Sequence, residues 1–359
     1  MDKQITATLE EQMPQWLETA VIPGLSLALI NDGQITWAKG FGLANSQTGE
    51  QVTSDTIFEA ASLSKPVYAY AALQLCAAGI LELDRPLLTY LPPAQQTAEI
   101  LFDNIVNEPR LGQITTRHVL SHTPGFPNWP PDGENLRILL PPGQQFSYSG
   151  AGYMFLQQVV AQFTQHDPLA FIENSVLQPL GMAHSTFVWN EAAAQIGPVA
   201  QPHDAAGVGG EKAMWPDMYA AASLHCTPTD YARFMLALMS PDSAGAAALD
   251  TALLQSMLSP QIQLNDCPPW HDEWPCTQVA LKPDLFWGLG WGLQQENGRF
   301  AFWHWGNNGN FKAFAIGFPD EAMGIVLMSN GRNGDKLWRT ILQHTCGSNM
   351  PALSWLEGK

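Results

Sequence analysis

The sequence predicts an α/β (α+β) protein: one antiparallel sheet flanked by helices, plus a second, mostly helical lobe. Three observations lead there. Near the start, an amphipathic stretch runs directly into a β-hairpin signature. The long middle section reads as helices and loops broken by proline pairs. The C-terminal part holds three strand-like runs joined by short Gly/Asn/Asp turns, then a helix. Strands from both ends of the chain then share one sheet, with residues 1–79 and 223–359 in its lobe and 80–222 in the helical lobe. The chain has 359 residues, 46% of them apolar, which suffices for a full core in about two lobes.

Each element has a local reason. Ile5, Leu9, Met13 and Leu17 recur at helical spacing, which predicts a helix over 4–20. In GLSLALINDGQITWAKGFG two apolar runs flank Asn31-Asp32-Gly33, a hairpin turn. FEAASLSKPVYAYAALQLCAA, from Phe58 to Ala78, reads as a helix closed by Gly79. Pro66 is tolerated only in a first turn, so Ser62 belongs at or near the helix N-terminus. Residues 80–145 are loops and short helices interrupted by Pro92-Pro93, Pro130-Pro131 and Pro141-Pro142-Gly143, and a helix follows over about 150–164. Thr227-Pro228-Thr229-Asp230 reads as a helix start, with Thr227 as N-cap, Pro228 in the first turn and Asp230 completing a capping box. The stretch 240–285, rich in Pro, Ser and Ala, reads as irregular. RFAFWHWG, FKAFAIGFPD and MGIVLMSN are the three strands, and the last helix covers about 334–345. No internal repeat is visible.

Composition excludes several function classes. Sixteen Lys and Arg stand against 33 Asp and Glu, a net charge of −17 with no basic run. A nucleic-acid binder needs a cationic footprint, and an anionic membrane surface repels such a chain. No window approaches the roughly 18 consecutive apolar residues of a membrane helix. MDKQITATLEEQMPQW has no apolar run after its lysine, so no signal peptide is expected in the sequence as it stands and the expected location is cytoplasmic, the alternative being a periplasmic or secreted protein whose signal peptide is removed. The five cysteines, Cys76, Cys226, Cys267, Cys276 and Cys346, are accordingly expected as reduced thiols, with a Cys267–Cys276 pairing left open.

Three short stretches carry chemistry. In Ser62-Leu63-Ser64-Lys65, Ser62 and Lys65 lie about one helical turn apart and share a face. A serine hydroxyl needs a base beside it, and a lysine can be that base only if its pKa falls from about 10.4 towards neutrality. The apolar flank of Phe58, Ala60, Ala61, Leu63 and Val67 favours such a fall, and no acidic partner follows Lys65 at helical spacing. Tyr148, in PPGQQFSYSGAGY, sits on a tight loop before a helix, where a phenol beside a cationic lysine can move a proton. In Trp303-His304-Trp305-Gly306-Asn307-Asn308-Gly309, His304 and Gly306 point to one face of a strand and Trp303 and Trp305 to the other. Gly306 weakens a strand unless something approaches the backbone there.

Together and in this order, these stretches resemble the serine β-lactamase/penicillin-binding-protein superfamily, which carries SxxK, then Tyr-x-Asn, then Lys-Thr-Gly on a sheet strand. The pattern is most similar to the class C β-lactamase-like branch. That branch includes class C β-lactamases, D-alanyl-D-alanine carboxypeptidases, D-aminopeptidases and family VIII carboxylesterases. The resemblance runs nearly end to end, through PGLSLALINDG, FEAASLSK, LELDRPL, ITTRHVLSHTPG, PGQQFSYSGAGY, LQPLGM, TPTDYARFM, FWGLGW and HWGNNG. It implies a β-lactamase/transpeptidase-like fold with the active site in the cleft between the lobes. It implies Ser62 as acylated nucleophile, Lys65 as proton-relay partner and Tyr148 as the base. The backbone N–H groups of Ser62 and Asn307 would form the oxyanion hole, and Gly306 would let substrate lie along the strand. No metal or organic cofactor is implied.

Two departures bear on substrate. Gly150 stands where β-lactamases have an asparagine that holds the substrate amide. His304 replaces the motif lysine, so a fixed positive charge near a substrate carboxylate becomes conditional on pH. A small ester needs neither contact, so the expected activity is that of a carboxylesterase on small or short-acyl esters. The alternatives are a β-lactamase, a D-alanyl-D-alanine carboxypeptidase or D-aminopeptidase, and a catalytically silent ligand-binding relative. Trp129, Trp303 and Trp305 are candidates to wall an acyl pocket, and Trp270 and Trp274 to shape its entrance. The expected partner is a small-molecule ester or acyl compound, with no nucleic acid or membrane; the oligomeric state is left open. Other resemblances carry less. Gly24-Leu25-Ser26-Leu27-Ala28 lacks the strand-turn-helix context of a nucleophile elbow, His118 and His122 lack a third zinc ligand, and Asp230 reads as a cap rather than a triad partner of His225.

Overall fold

The computed structural model describes residues 3–92, 105, 107–130, 135–164, 167–240, 244–245, 247–267, 276, 279–347 and 350–358. Pro93, Pro131, Trp270 and Trp274 lie outside the described residues. In chain order the elements are α1 (Lys3–Ala20), β1 (Gly24–Asn31), β2 (Gln34–Asn45), β3 (Glu50–Gln51), β4 (Phe58–Ala61) and α2 (Ser64–Ala77). The middle of the chain contributes α3 (Thr116–Leu120), α4 (Gly150–Ala161), α5 (Pro168–Ile172) and β5 (Leu224–Cys226). Then come α6 (Pro228–Met239), α7 (Thr251–Met257), β6 (Ile262–Asn265), β7 (Leu281–Trp287), β8 (Gly292–Glu296), β9 (Arg299–Asn307), β10 (Lys312–Phe318), β11 (Met323–Ser329), α8 (Trp338–Thr345) and α9 (Pro351–Leu356).

Among the described residues, strands from both ends of the chain form one antiparallel sheet of nine, in the order β3-β2-β1-β11-β10-β9-β8-β7-β6. Alternation along the central strands divides the core. Leu25, Leu27 and Leu29 of β1 and Ile325 and Leu327 of β11 pack with α1, α8 and α9 on one face. Ala28 and Ile30 of β1 and Val326 and Met328 of β11 pack with α2, α4 and α6 on the other. Among the described residues no helix is long and apolar enough to cross a membrane.

Several expectations need correction. The run from Phe58 to Ala78 is not one helix. Phe58–Ala61 is a short strand that pairs with β5, Ala61 turns the chain at φ 51°, and the helix starts at Ser64. Four residues are too few to show a period, so their apolar character fitted a buried strand as well as a helix. The stretch 240–285 is not irregular: it holds α7, β6 and the first residues of β7. Strand β8 and helix α9 were also unforeseen. Thr227 does cap α6 by accepting from the Asp230 N–H, but the Asp230 carboxylate turns away to the His184 N–H and the Ser185 hydroxyl, so the capping box is half formed. His118 lies in α3, where it closes a capping box with Thr115, whereas His122 lies beyond the helix end. Cys267 and Cys276, whose pairing the sequence leaves open, are joined in a disulfide. Cys76, Cys226 and Cys346 remain free.

Candidate active site

Ser62 is half-buried on the turn between β4 and α2. That turn is fixed by the Leu63 N–H donating to Ala60 O and the Lys65 N–H donating to Ser62 O, both at 3.1 Å. The neighbouring Ser64 is fully committed elsewhere, donating to Ala61 O and accepting from the Leu224 N–H. Lys65 lies on the first turn of α2 and is 1% exposed. Its Nζ is 3.1 Å from Ser62 Oγ and donates to Ala221 O at 2.8 Å. Among the described residues no carboxylate bonds to this amine, and burial lowers its pKa to about 7.

Tyr148 stands on the loop before α4, and its ring centroid is 4.8 Å from Lys65 Nζ. Its hydroxyl is buried with no hydrogen bond to the described residues. Burial pushes this phenol far above its usual pKa and outweighs the opposite effect of the neighbouring Ser62. The phenol therefore stays protonated at neutral pH.

The end of β9 forms the facing wall. Its ladder with β8 ends at the Gly292–Trp303 pair, so residues beyond 303 leave that edge open. The Asn308 N–H donates to Phe311 O on the β10 side, so the Asn307 N–H, one residue back, points to the open edge. The Asn307 side chain accepts from Lys312 Nζ at 2.6 Å. Gly306 has a reason other than substrate. A Cβ there would stand 2.3 Å from the Ala60 carbonyl oxygen, so the glycine lets β9 meet β4, the strand that leads into the Ser62 turn.

His304 is fully buried rather than presented to a ligand. Its ring stacks on Trp305 and meets Trp287 edge-on, and its Nδ1 donates to Trp305 O at 2.7 Å. Burial first, then the charge of Lys65, holds its pKa well below the usual histidine value. Burial thus disfavours the charged form on which the expectation of a pH-conditional charge rests. Gly150 opens α4, and its N–H donates to Asn128 Oδ1 at 2.9 Å. A Cβ on Gly150 would stand 2.6 Å from the Trp129 indole, so an aromatic ring occupies the space beside this position. Trp129 is 42% exposed, unlike Trp303 and Trp305, which enter the core.

A cavity of about 530 Å³ opens beside Trp305 and Asn307. Trp338 and Leu356 wall it, and its lining mixes two cations, Lys312 and Lys336, with two carboxylates, Asp335 and Glu357. Sequence reasoning missed Lys312, Asn128 and the Ala221 carbonyl, because nothing local marks a backbone oxygen or a loop amide that becomes a partner only through the fold. It also missed a buried ion pair behind the site. Lys212 Nζ meets Glu59 Oε1 at 2.7 Å and His225 Nε2 at 2.8 Å, while Asn308 Nδ2 donates to Glu59 Oε2. His225 and Asp230 thus belong to separate networks. Among the described residues no cluster of three metal-ligating side chains exists.

Comparison with known proteins bears on family and fold. A family model described as Beta-lactamase matches residues 6–344. Esterase EstB of Burkholderia gladioli is 30% identical over 212 residues, 51% of this chain and 52% of that protein. A beta-lactamase of Yersinia enterocolitica is 25% identical over 367 residues, 91% of this chain and 87% of that protein. Among solved structures, the octameric penicillin-binding protein homologue from Pyrococcus abyssi superposes with a TM-score of 0.78 at 21% identity, over 99% of this chain and 80% of that one. The chain spans about half the length of the first curated relatives it matches.

Proposed function

The chain belongs to the beta-lactamase family, and we propose that it is a serine hydrolase that cleaves small esters through a Ser62 acyl-enzyme. One observation carries this reading: a buried lysine amine, with a pKa of about 7 and no carboxylate partner among the described residues, lies 3.1 Å from a half-buried serine hydroxyl.

The neutral amine favours Lys65, rather than Tyr148, as the group that takes the Ser62 proton. Ser62 Oγ attacks the ester carbonyl and its proton passes to Lys65 Nζ. The carbonyl oxygen becomes an oxyanion, held by the N–H groups of Ser62 and Asn307. Collapse of the tetrahedral intermediate breaks the bond to the alcohol. The Tyr148 hydroxyl gives its proton to the leaving alkoxide and recovers one from the Lys65 ammonium. Water then attacks the acyl-enzyme by the same route in reverse, releasing the acid and restoring Ser62.

The choice of ester rests on Gly150, Trp129 and His304. The glycine offers no side-chain amide to a substrate amide, the indole fills the adjoining space, and burial of the imidazole disfavours its charged form. The 30% identity to an esterase points the same way. One observation bears on the second reading, a β-lactam or D-amino-acid peptide: Lys312 lies beside Asn307 in the cavity lining, although Asp335 and Glu357 line the same cavity and offset its charge towards a substrate carboxylate.

The test is steady-state hydrolysis of p-nitrophenyl acetate by wild type and Ser62→Ala, with a chromogenic cephalosporin alongside. Ester turnover lost in the variant, with little cephalosporin turnover, is the expected result. Fast cephalosporin turnover would replace the esterase reading with the second one.

A further inference from the structure

His122 is a buried histidine that the mechanism above does not use, and its geometry centres on Tyr148. Its backbone takes φ 55°, a left-handed conformation uncommon for a residue with a side chain. In that conformation the two acceptors of one residue reach the two neighbours of Tyr148. His122 O accepts from the Ser147 N–H at 2.6 Å, and His122 Nδ1 accepts from the Ser149 N–H at 3.0 Å. The imidazole lies against the phenol between them, ring centroids 4.3 Å apart and planes 36° apart. Phe146 and Trp287 close around the same ring.

Because Nδ1 accepts, the ring is the neutral tautomer protonated on Nε2. That Nε2 has no partner among the described residues, so Nδ1 makes the ring's hydrogen bond. Burial and the nearby charge of Lys65 both disfavour an imidazolium here.

We propose that His122 is a positioning residue for Tyr148: it holds the tyrosine from both sides along the backbone and across the face of its ring. The inference rests on the proton role given to Tyr148 above. It makes a specific demand of chemistry at position 122. The side chain must place an acceptor at the Nδ1 position, and the residue must tolerate a left-handed backbone. Asparagine meets both conditions, since its Oδ1 is as far from the backbone as Nδ1 and it enters this region readily.

The experiment compares kcat and KM for p-nitrophenyl acetate in the full chain carrying His122→Gly, His122→Asn or Tyr148→Phe. Glycine removes the ring without straining the backbone, so this variant is expected to fold, which circular dichroism checks. We expect His122→Gly to lower kcat by about 10- to 100-fold with KM changed less than about threefold, the effect of a misplaced proton donor. His122→Asn should recover to within about threefold of wild type. A folded His122→Gly with wild-type kcat would overturn the inference. So would His122→Asn as impaired as His122→Gly, because the acceptor would then not be what matters. Wild-type kcat in Tyr148→Phe would instead remove the proton role of Tyr148, and with it the reading on which this inference rests.

Discussion

A lysine ammonium buried without a carboxylate is disfavoured as a cation, and the physical consequences for Lys65 run in two directions. Its folded pKa of about 7 lies below the unfolded value of about 10.4, so the amine loses its proton near neutrality. The first consequence is kinetic: kcat/KM for an ester should rise with pH through a limb near 7 as the neutral amine forms. Lys65→Arg should abolish turnover across the whole pH range, since a guanidinium does not deprotonate. A pH–rate profile of both proteins checks this, and a flat profile between pH 6 and 8 would contradict the role of Lys65. The second consequence is thermodynamic. Between pH 7 and 10.4 the unfolded chain binds the proton that the folded chain has released, so the group's contribution to stability rises with pH in that window and is lowest below it. Lys65→Met should therefore raise stability at pH 6 by on the order of 2 kcal/mol, read from denaturant midpoints. The Ser62–Lys65 pair was legible because a spacing of three on a helix start is a local property. The Ala221 carbonyl that anchors the amine was not, being 156 residues away in the chain.

The element that places Ser62 is β4, and it works through contact with β9 at Gly306. A methyl group there would meet the Ala60 carbonyl at 2.3 Å, and neither strand can yield without moving the turn that begins at Ala61. Gly306→Ala should cost about 1–3 kcal/mol and lower ester turnover at least tenfold. Urea denaturation read beside kcat tests it. Wild-type turnover in this variant would mean that β9 does not hold the nucleophile turn. Long elements with a period were readable from the sequence, as were those with a turn chemistry of their own. Helix α1 showed its apolar stripe, the β1–β2 hairpin its Asn-Asp-Gly turn, and α6 its Thr227-Pro228 start. Strand β4 was taken into the following helix because four apolar residues carry no period. Strands β6 and β7 and helix α7 were hidden in a stretch whose Pro, Ser and Ala content resembles a loop. There the fold supplies the partners that local propensity lacks.

Across the whole molecule a buried ion pair links segments behind the site. Lys212 and Glu59 have side chains 5% and 6% exposed. Glu59 lies on β4, Asn308 joins it from the β9–β10 turn, and His225 joins Lys212 from β5. Removing one partner leaves a charge buried without compensation. Lys212→Met should cost about 3–5 kcal/mol, and adding Glu59→Gln should recover part of that loss. Thermal or urea denaturation of both variants measures it; an additive double variant would deny the coupling.

The order of the sheet strands has a consequence for how the molecule comes into being. Strand β1 is paired on one side with β2, its neighbour in sequence, and on the other with β11, near the far end of the chain. Ser62 lies near the start of the chain and β9 near its end, so the proposed site needs both ends in place. Closing so long a loop is slow compared with forming a local hairpin or helix. On refolding from denaturant, far-UV ellipticity should return in a fast phase from the local elements. Ester hydrolysis should return only with the slowest phase, when the two ends meet. Enzymatic activity then becomes a clock for the final step of folding.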